Sequence, residues 1–542
     1  MTRREMLLSV AIVFAVAVVV RAVAASIVVF PLPEDTAYYV GVARNLLEGH
    51  GLTSDALWSF QTPPLSFPRP AFEVWLPLPT ILAAVPMAIL GPTFAAAQVS
   101  PILVGSIVPV LAWRLGADAA MERGLSPART RVLALGAGLT SAVYLPLVLH
   151  STLPDSTMPF AVLALGACLL MPRLLRDARA IRLTDARLLG LGGLIGLAAL
   201  TRNEAVFVGF AWLMAVWLAP ALDRRRRLAL VAVPAGIALL IFAPWMIRDW
   251  IEFGNPLPGQ ALSNALSVTG SDIFAWKDPP TLSRYLAEGP GRLLSMRVEG
   301  IAHNLFTVLL LPGMPAAFVG LVALPFFIRL RTLLPLAILS ITTFAVTSLI
   351  FPVSTTWGTY LHAAGPAHVL LLVCGLLALD AAIERVGRIR GWTNPVAWLG
   401  GALTIFGSLL FMVVLMPLVG GQSRGLALHY EALATQMAAA GMPLGEQGPI
   451  ITNFPIWLSE STRVKALALP TETPADVLDL ARRFAGTHLL IINGEVDGDW
   501  PQVLDTNAPG ADCFKEVAIG TPADPRLARE LTDTRVFRLV CP

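Results

Sequence analysis

Apolar runs long enough to cross a membrane recur from the start of this chain to about Pro417, separated by short polar connections. A hydrocarbon core takes about 20 apolar residues in a helix. The first run, Met6 to Phe30, follows Arg3-Arg4 and is too long for a cleavable signal, so it reads as a retained helix with a cytoplasmic N-terminus. Further spans are expected near residues 96–116, 129–149, 156–171, 188–201, 204–220, 228–246, 312–328, 333–351, 363–383 and 395–418, about eleven in all. Arginine clusters punctuate them at Arg114 to Arg131, Arg173 to Arg187, Arg224 to Arg227, Arg329 with Arg331, and Arg385 to Arg390. Short basic loops stay cytoplasmic, and an odd number of spans then puts everything after Pro417 outside. The run Phe72 to Leu90 is apolar but broken by Pro77, Pro79 and Pro86, and as a full span it would invert the arginine loops that follow. It is expected to dip into the outer leaflet.

After about Gly421 the pattern changes to short apolar strands alternating with a helix: Pro449–Asn453, Val464–Leu469, the helix Pro474–Ala485, Thr487–Asn493 and Arg535–Val540. That alternation predicts a soluble α/β domain. The expected fold class is a polytopic α-helical membrane protein carrying a C-terminal soluble α/β domain. Its organisation is a transmembrane domain over 1–420, with a large first external loop at 31–95, and an extracytoplasmic domain over 421–542.

Composition agrees with the pattern. Of the 542 residues, 56% are hydrophobic and 14% charged, and the mean hydropathy is +0.69, too apolar for a soluble globule. The formal charge of +3 gives no reason to expect a nucleic-acid partner. Cys513 and Cys541 fall on the outer side, where a disulfide can form, and the pairing is left open; Cys168 and Cys374 sit inside spans as packing residues.

On this map the conspicuous polar residues gather at the outer ends of the helices: Glu34 and Asp35, Tyr38 and Tyr39, His150 and Asp155, Arg202 with Glu204, Arg248, and Tyr360 with His362. Ionisable groups near membrane depth that converge from several helices point to a substrate pocket. Each also has a plainer reading. Asp35 and Asp155 are placed to cap helices, Arg202 and Arg248 to snorkel, and the histidines to anchor helix ends. Arg21, well inside the first span, fits a bundle contact as well as a phosphate ligand.

The order of these motifs resembles the GT-C superfamily of membrane glycosyltransferases, which includes protein O-mannosyltransferases and lipid A aminoarabinose transferases. The matching residues are Glu34-Asp35 with Tyr38-Tyr39, then Ala43 through Gly51, Trp75-Leu76-Pro77-Leu78, Pro154-Asp155, Leu200-Thr201-Arg202-Asn203-Glu204, and Pro244-Trp245 leading to Phe253-Gly254-Asn255-Pro256. The order Glu34-Asp35 and the stretch Thr62-Pro63-Pro64-Leu65 depart from the O-mannosyltransferase pattern, so neither mannose nor a protein acceptor is carried over.

The resemblance implies an enzyme of the plasma (inner) membrane that moves a sugar, with inversion, from a polyprenyl-phosphate carrier to a hydroxyl on a lipid, glycan or protein acceptor. Asp35 is the expected general base, with Glu34 and Asp155 as the further catalytic candidates. Arg202 and Arg248 are the donor-phosphate candidates, and Tyr38, Tyr39, His150, Glu204, Tyr360 and His362 are expected to line the substrate site. No cofactor is required by this reading; a divalent cation, magnesium or manganese, is expected only as an option, with Asp35, Asp155 and His150 as its ligands. Two other classes remain: a transporter or flippase for a lipid-linked sugar, and a non-catalytic cell-envelope scaffold.

Overall fold

The computed structural model describes residues 3–541 except 221, 393–395, 495, 497 and 498, so the expected start of the last span at residue 395 lies outside the described residues. Most of the chain is helical. Helix α1 (Arg3–Ala25) is followed by α2 (Glu34–Leu47) and, after the remainder of the first loop, by α3 (Leu78–Leu90). Among the described residues, seven helical stretches are long and apolar enough to cross a membrane: Arg3–Ala25, Phe94–Glu122, Thr157–Arg176, Arg224–Phe253, Gly289–Leu310, Gly365–Ile389 and Trp398–Ala439. Five shorter apolar helices accompany them, at Leu78–Leu90, Ala186–Ala199, Ala205–Leu218, Ala316–Phe327 and Leu334–Leu349.

The proline-broken run before Leu90 forms helix only over the 13 residues of α3, about 20 Å of rise, which is less than a hydrocarbon core. The stretch Gly289–Leu310 was not among the expected spans, because Arg292, Arg297 and Glu299 give its first half an amphipathic face. Close helix crossings hold the bundle. Gly320 lies so near the Leu371 carbonyl that a side chain there would overlap it, and glycine is what lets the helices Ala316–Phe327 and Gly365–Ile389 meet backbone to backbone.

Arg21 is wholly buried and serves the bundle, donating to the Ser151 hydroxyl at 2.9 Å and the Ala142 carbonyl at 3.1 Å. The arginine loops are laced by ion pairs: Arg129 grips Asp380 and Glu384 at 2.7 Å, and Arg114 and Arg173 share Asp118 at 2.7 Å.

The expected strands after residue 449 form at β4 (Ile450–Thr452), β5 (Ala466–Ala468), β6 (Leu489–Asn493) and β8 (Thr534–Leu539), and β7 (Phe514–Glu516) joins them. The sixth strand of that sheet comes from the other end of the chain. In the first loop, β1 (Thr53–Ser54) pairs with β3 (Arg69–Pro70), whereas β2 (Ala56–Leu57) lies parallel to β5, giving the order β2-β5-β4-β6-β8-β7. Leu57 and Phe60 of the loop enter the core of the α/β unit with Leu467, Leu490 and Phe537. Cys513 and Cys541 form a disulfide with their Cα atoms 5.3 Å apart, which ties the end of the chain to β7. The helix Trp398–Ala439 runs without interruption from the bundle into the α/β unit, so its backbone has no break near residue 420. Its Ser423 hydroxyl accepts the Val29 and Phe30 N–H groups at 2.8 and 2.7 Å, which fixes the chain where α1 gives way to α2.

Candidate active site

Glu34 and Asp35 open α2 after Pro33, and successive helical residues diverge by about 100°. The divergence separates their partners. Glu34 Oε1 accepts the N–H groups of Ile456 and Trp457 at 3.1 and 3.4 Å, the first turn of the helix Pro455–Thr462, and so fastens the α/β unit to α2. Burial pushes the Glu34 carboxyl up to about 8 despite those two donors.

Asp35 turns the other way, onto the bundle. Its Oδ2 lies 3.0 Å from His362 Nε2, and its Oδ1 accepts the Thr36 N–H at 3.0 Å. His362 sits on the short helix Thr359–Ala363, where its Nδ1 meets the Thr157 hydroxyl at 2.8 Å and Asp155 Oδ2 at 3.5 Å. Asp155 Oδ2 also lies 3.3 Å from His150 Nδ1, and its Oδ1 accepts the Thr157 N–H at 2.7 Å. A continuous chain therefore runs Asp35–His362–Asp155–His150, in which Asp155 has the capping contact expected of it as well as two imidazoles. Exposure falls along it from 12% for the Asp35 side chain to 5% for His362 and 0% for Asp155. Burial works against the His362 charge, but Asp35 and Asp155 outweigh it and lift the imidazole to about 10. Burial likewise opposes the Asp155 charge, and the two imidazoles more than compensate, holding it well below the usual carboxylate range. At neutral pH an imidazolium is thus clamped between two carboxylates.

Arg202 stands beside this chain. It grips Glu204 through two nitrogens at 3.0 and 2.8 Å, donates to the Ser156 hydroxyl at 2.9 Å and to the Thr359 carbonyl at 3.1 Å, and neighbours Asp35 and Tyr39. Arg248 belongs to a different network. It donates to the Ala71 carbonyl at 2.7 Å and to Asp249 at 3.1 Å, and lies over Trp245 and Phe253.

The two tyrosines of α2 also part. Tyr39 is buried beside Ser156, Asp35 and Arg202. Tyr38 packs at 4.3 Å on Trp75, takes the Phe72 N–H at 2.7 Å and reaches Glu73 at 3.4 Å, inside the first loop. Tyr360 is buried against Phe344 in an apolar cluster with Leu309 and Leu371, although its helix carries His362. The structure thus brings Asp35, Tyr39, His150, Asp155, Arg202, Glu204 and His362 together, and sends Glu34, Tyr38, Arg248 and Tyr360 elsewhere. Ser156, Thr157 and the Thr359 carbonyl complete the site; as uncharged groups next to the singled-out residues they carried no signal in the sequence.

His150, Asp155 and His362 present ligand atoms all within 4.8 Å of one another. Two imidazoles and one carboxylate suit zinc or manganese better than magnesium, which prefers an all-oxygen shell. Asp35, an expected ligand, stands on the far side of the His362 ring.

No family model matches the chain, and no curated protein does. Solved structures do. ArnT from Cupriavidus metallidurans bound to undecaprenyl phosphate superposes with a TM-score of 0.55 over 98% of this chain and 97% of that one at 13% identity. The archaeal oligosaccharyltransferase AglB from Archaeoglobus fulgidus, in complex with an inhibitory peptide and a dolichol-phosphate, gives 0.52 over 90% of this chain and 69% of that one at 12% identity. The fold is the one that ArnT and AglB share. Within this fold, the first loop and the α/β unit pack together on α2, the helix that carries Asp35.

Proposed function

We propose that the protein is a membrane glycosyltransferase that moves a sugar from a polyprenyl-phosphate carrier to an acceptor hydroxyl on the extracytoplasmic face, with inversion. The observation that carries this reading is the placement of Asp35: a carboxylate at the start of an external helix, held by a buried imidazolium, next to an arginine, in a GT-C fold. ArnT and AglB were solved with undecaprenyl phosphate and dolichol-phosphate, which supports a lipid-linked donor here.

In the proposed step the acceptor oxygen attacks the anomeric carbon while Asp35 takes its proton. The bond from that carbon to the phosphate oxygen breaks, and the lipid phosphate leaves with the electron pair. His362 orients the Asp35 carboxylate and is itself fixed by Asp155 and Thr157. A base needs such constraint, because proton transfer requires hydrogen-bond reach to the reacting hydroxyl. Arg202 is the candidate cation for the leaving phosphate, since it neighbours Asp35 and a guanidinium can bind two phosphate oxygens. Arg248, held to the first loop, is a positioning residue. Tyr39, beside Ser156, shapes the pocket wall. A divalent cation on His150, Asp155 and His362 would require both imidazoles neutral, and would then take over from the His362 proton as the positive charge next to Asp155. The arginine-laced ends of the bundle face the cytoplasm in this reading, and the α/β unit faces outward.

Membranes holding wild type or Asp35→Asn, supplied with labelled polyprenyl-phosphate sugars and native acceptors, test the proposal. Wild type should consume one donor, and the variant, equally expressed and folded, should not. Equal consumption by both would remove Asp35 as the base. Donor movement across the bilayer without transfer would make the protein a flippase, and neither activity would leave a scaffold.

A further inference from the structure

A cleft lined by none of the residues gathered around Asp35 opens elsewhere in the molecule. It lies between the first loop and the α/β unit, has a volume of about 620 Å³, and is walled by Phe67 and Phe484. The turns that precede β4, β5 and β6 form its floor. They bring Gly448 against Gly486 so closely that a side chain on Gly448 would overlap the Gly486 backbone.

Three exposed cations line the cleft, Arg463, Lys465 and Arg483, and no carboxylate does. Arg463 meets Glu48 only at 3.4 Å, Lys465 lies 5.8 Å over the Phe67 ring, and Arg483 has no ion-pair partner among the described residues. Cations gathered in a concave wall, only one of the three with an ion-pair partner, raise the local concentration of anions, and an aromatic rim offers a face for sugar rings.

The position of the cleft separates glycan from lipid. The helix Trp398–Ala439 has 42 residues, about 60 Å of rise, of which a hydrocarbon core takes about 30 Å. Gly445 and Gly448 come soon after its far end, so the part of the helix in excess of a hydrocarbon core carries the cleft away from the lipid.

We propose that this cleft binds an anionic stretch of the acceptor, an oligosaccharide bearing carboxylate or phosphate groups, while the acceptor's reactive hydroxyl reaches Asp35. The acceptor role rests on the glycosyltransferase reading; the binding does not, and is measured without donor. Full-length protein in phosphatidylcholine nanodiscs is titrated with fluorescent hexagalacturonate, a phosphorylated maltohexaose and neutral maltohexaose.

One of the two anionic probes should bind with an affinity that falls steeply with salt, its identity naming the anion, and the neutral probe should not. The combined Arg463→Asn, Lys465→Gln and Arg483→Gln variant should bind on the order of tenfold more weakly, and Arg482→Gln, outside the cleft, should match wild type. Asparagine is chosen at 463 because that residue has a left-handed φ of 62°, which asparagine tolerates. Equal binding of neutral and anionic probes, binding of neither anion, or salt-independent affinity in wild type would overturn the proposal, whatever the folding of the variant. So would displacement of the probe by phosphatidylglycerol in the disc.

Discussion

The imidazole of His362 holds the Asp35 carboxylate at 3.0 Å, and the two residues reach each other from α2 and from a five-residue helix more than 300 positions along the chain. Removing the ring leaves Asp35 chemically intact but free to rotate. His362→Ala should therefore lower kcat by about 100-fold, at the lower end of what a positioned acid or base contributes, with donor affinity retained. Single-turnover transfer alongside donor binding separates the two quantities. A fall in donor affinity with unchanged turnover would assign His362 to the donor instead.

The same pair makes stability depend on pH. An imidazole whose pKa is about 10 in the folded protein and about 6.5 in the unfolded chain favours the fold fully below pH 6.5, and that contribution is lost as the pH climbs through 10. The difference in Tm between wild type and His362→Ala should shrink steadily over that interval. A difference that grows with pH would mean that the ring is neutral in the folded protein.

Glu34 is expected to matter for docking rather than for chemistry. Glu34→Ala leaves the N–H groups of Ile456 and Trp457 without their acceptor, which for a helix start costs about 1–2 kcal/mol. Hydrogen exchange should quicken over the helix Pro455–Thr462 while kcat changes far less than in Asp35→Asn. Equal losses from the two variants would return Glu34 to the reaction.

Cys541→Ser should destabilise the α/β unit by about 3–4 kcal/mol, the chain-entropy value for a loop closed by residues 28 apart. Limited proteolysis after β7, compared between the variant and wild type, reads that change directly.

Asp35 stands out in the sequence as a candidate because three local signals coincide at it: an apolar span ends, a helix begins, and the arginine loops assign that end to one side. The same map put His150, Asp155, Arg202 and His362 at the same end of the bundle. What it lacked was direction. Whether a helix-end side chain turns into the site or away depends on packing from distant segments, and so Tyr38 and Tyr39, adjacent and alike in sequence, settle in different clusters. The destination of Glu34 was hidden because its partners are backbone N–H groups in another part of the chain. Strand β2 escaped notice because two residues carry no alternation; the sheet edge that accepts Ala56 and Leu57 creates it. Gly289–Leu310 joins the candidate spans only in the structure, because charges in its first half mask an apolar second half in the sequence.

Because β2 lies along β5, the sheet that seats the first loop is built from residues some 400 positions apart. During synthesis the first loop emerges early and has no sheet to join until the last part of the chain has been translated and has folded. A chain cut short before Ala466 lacks the strand along which Ala56 and Leu57 lie, so the seating of the first loop waits on completion of the α/β unit.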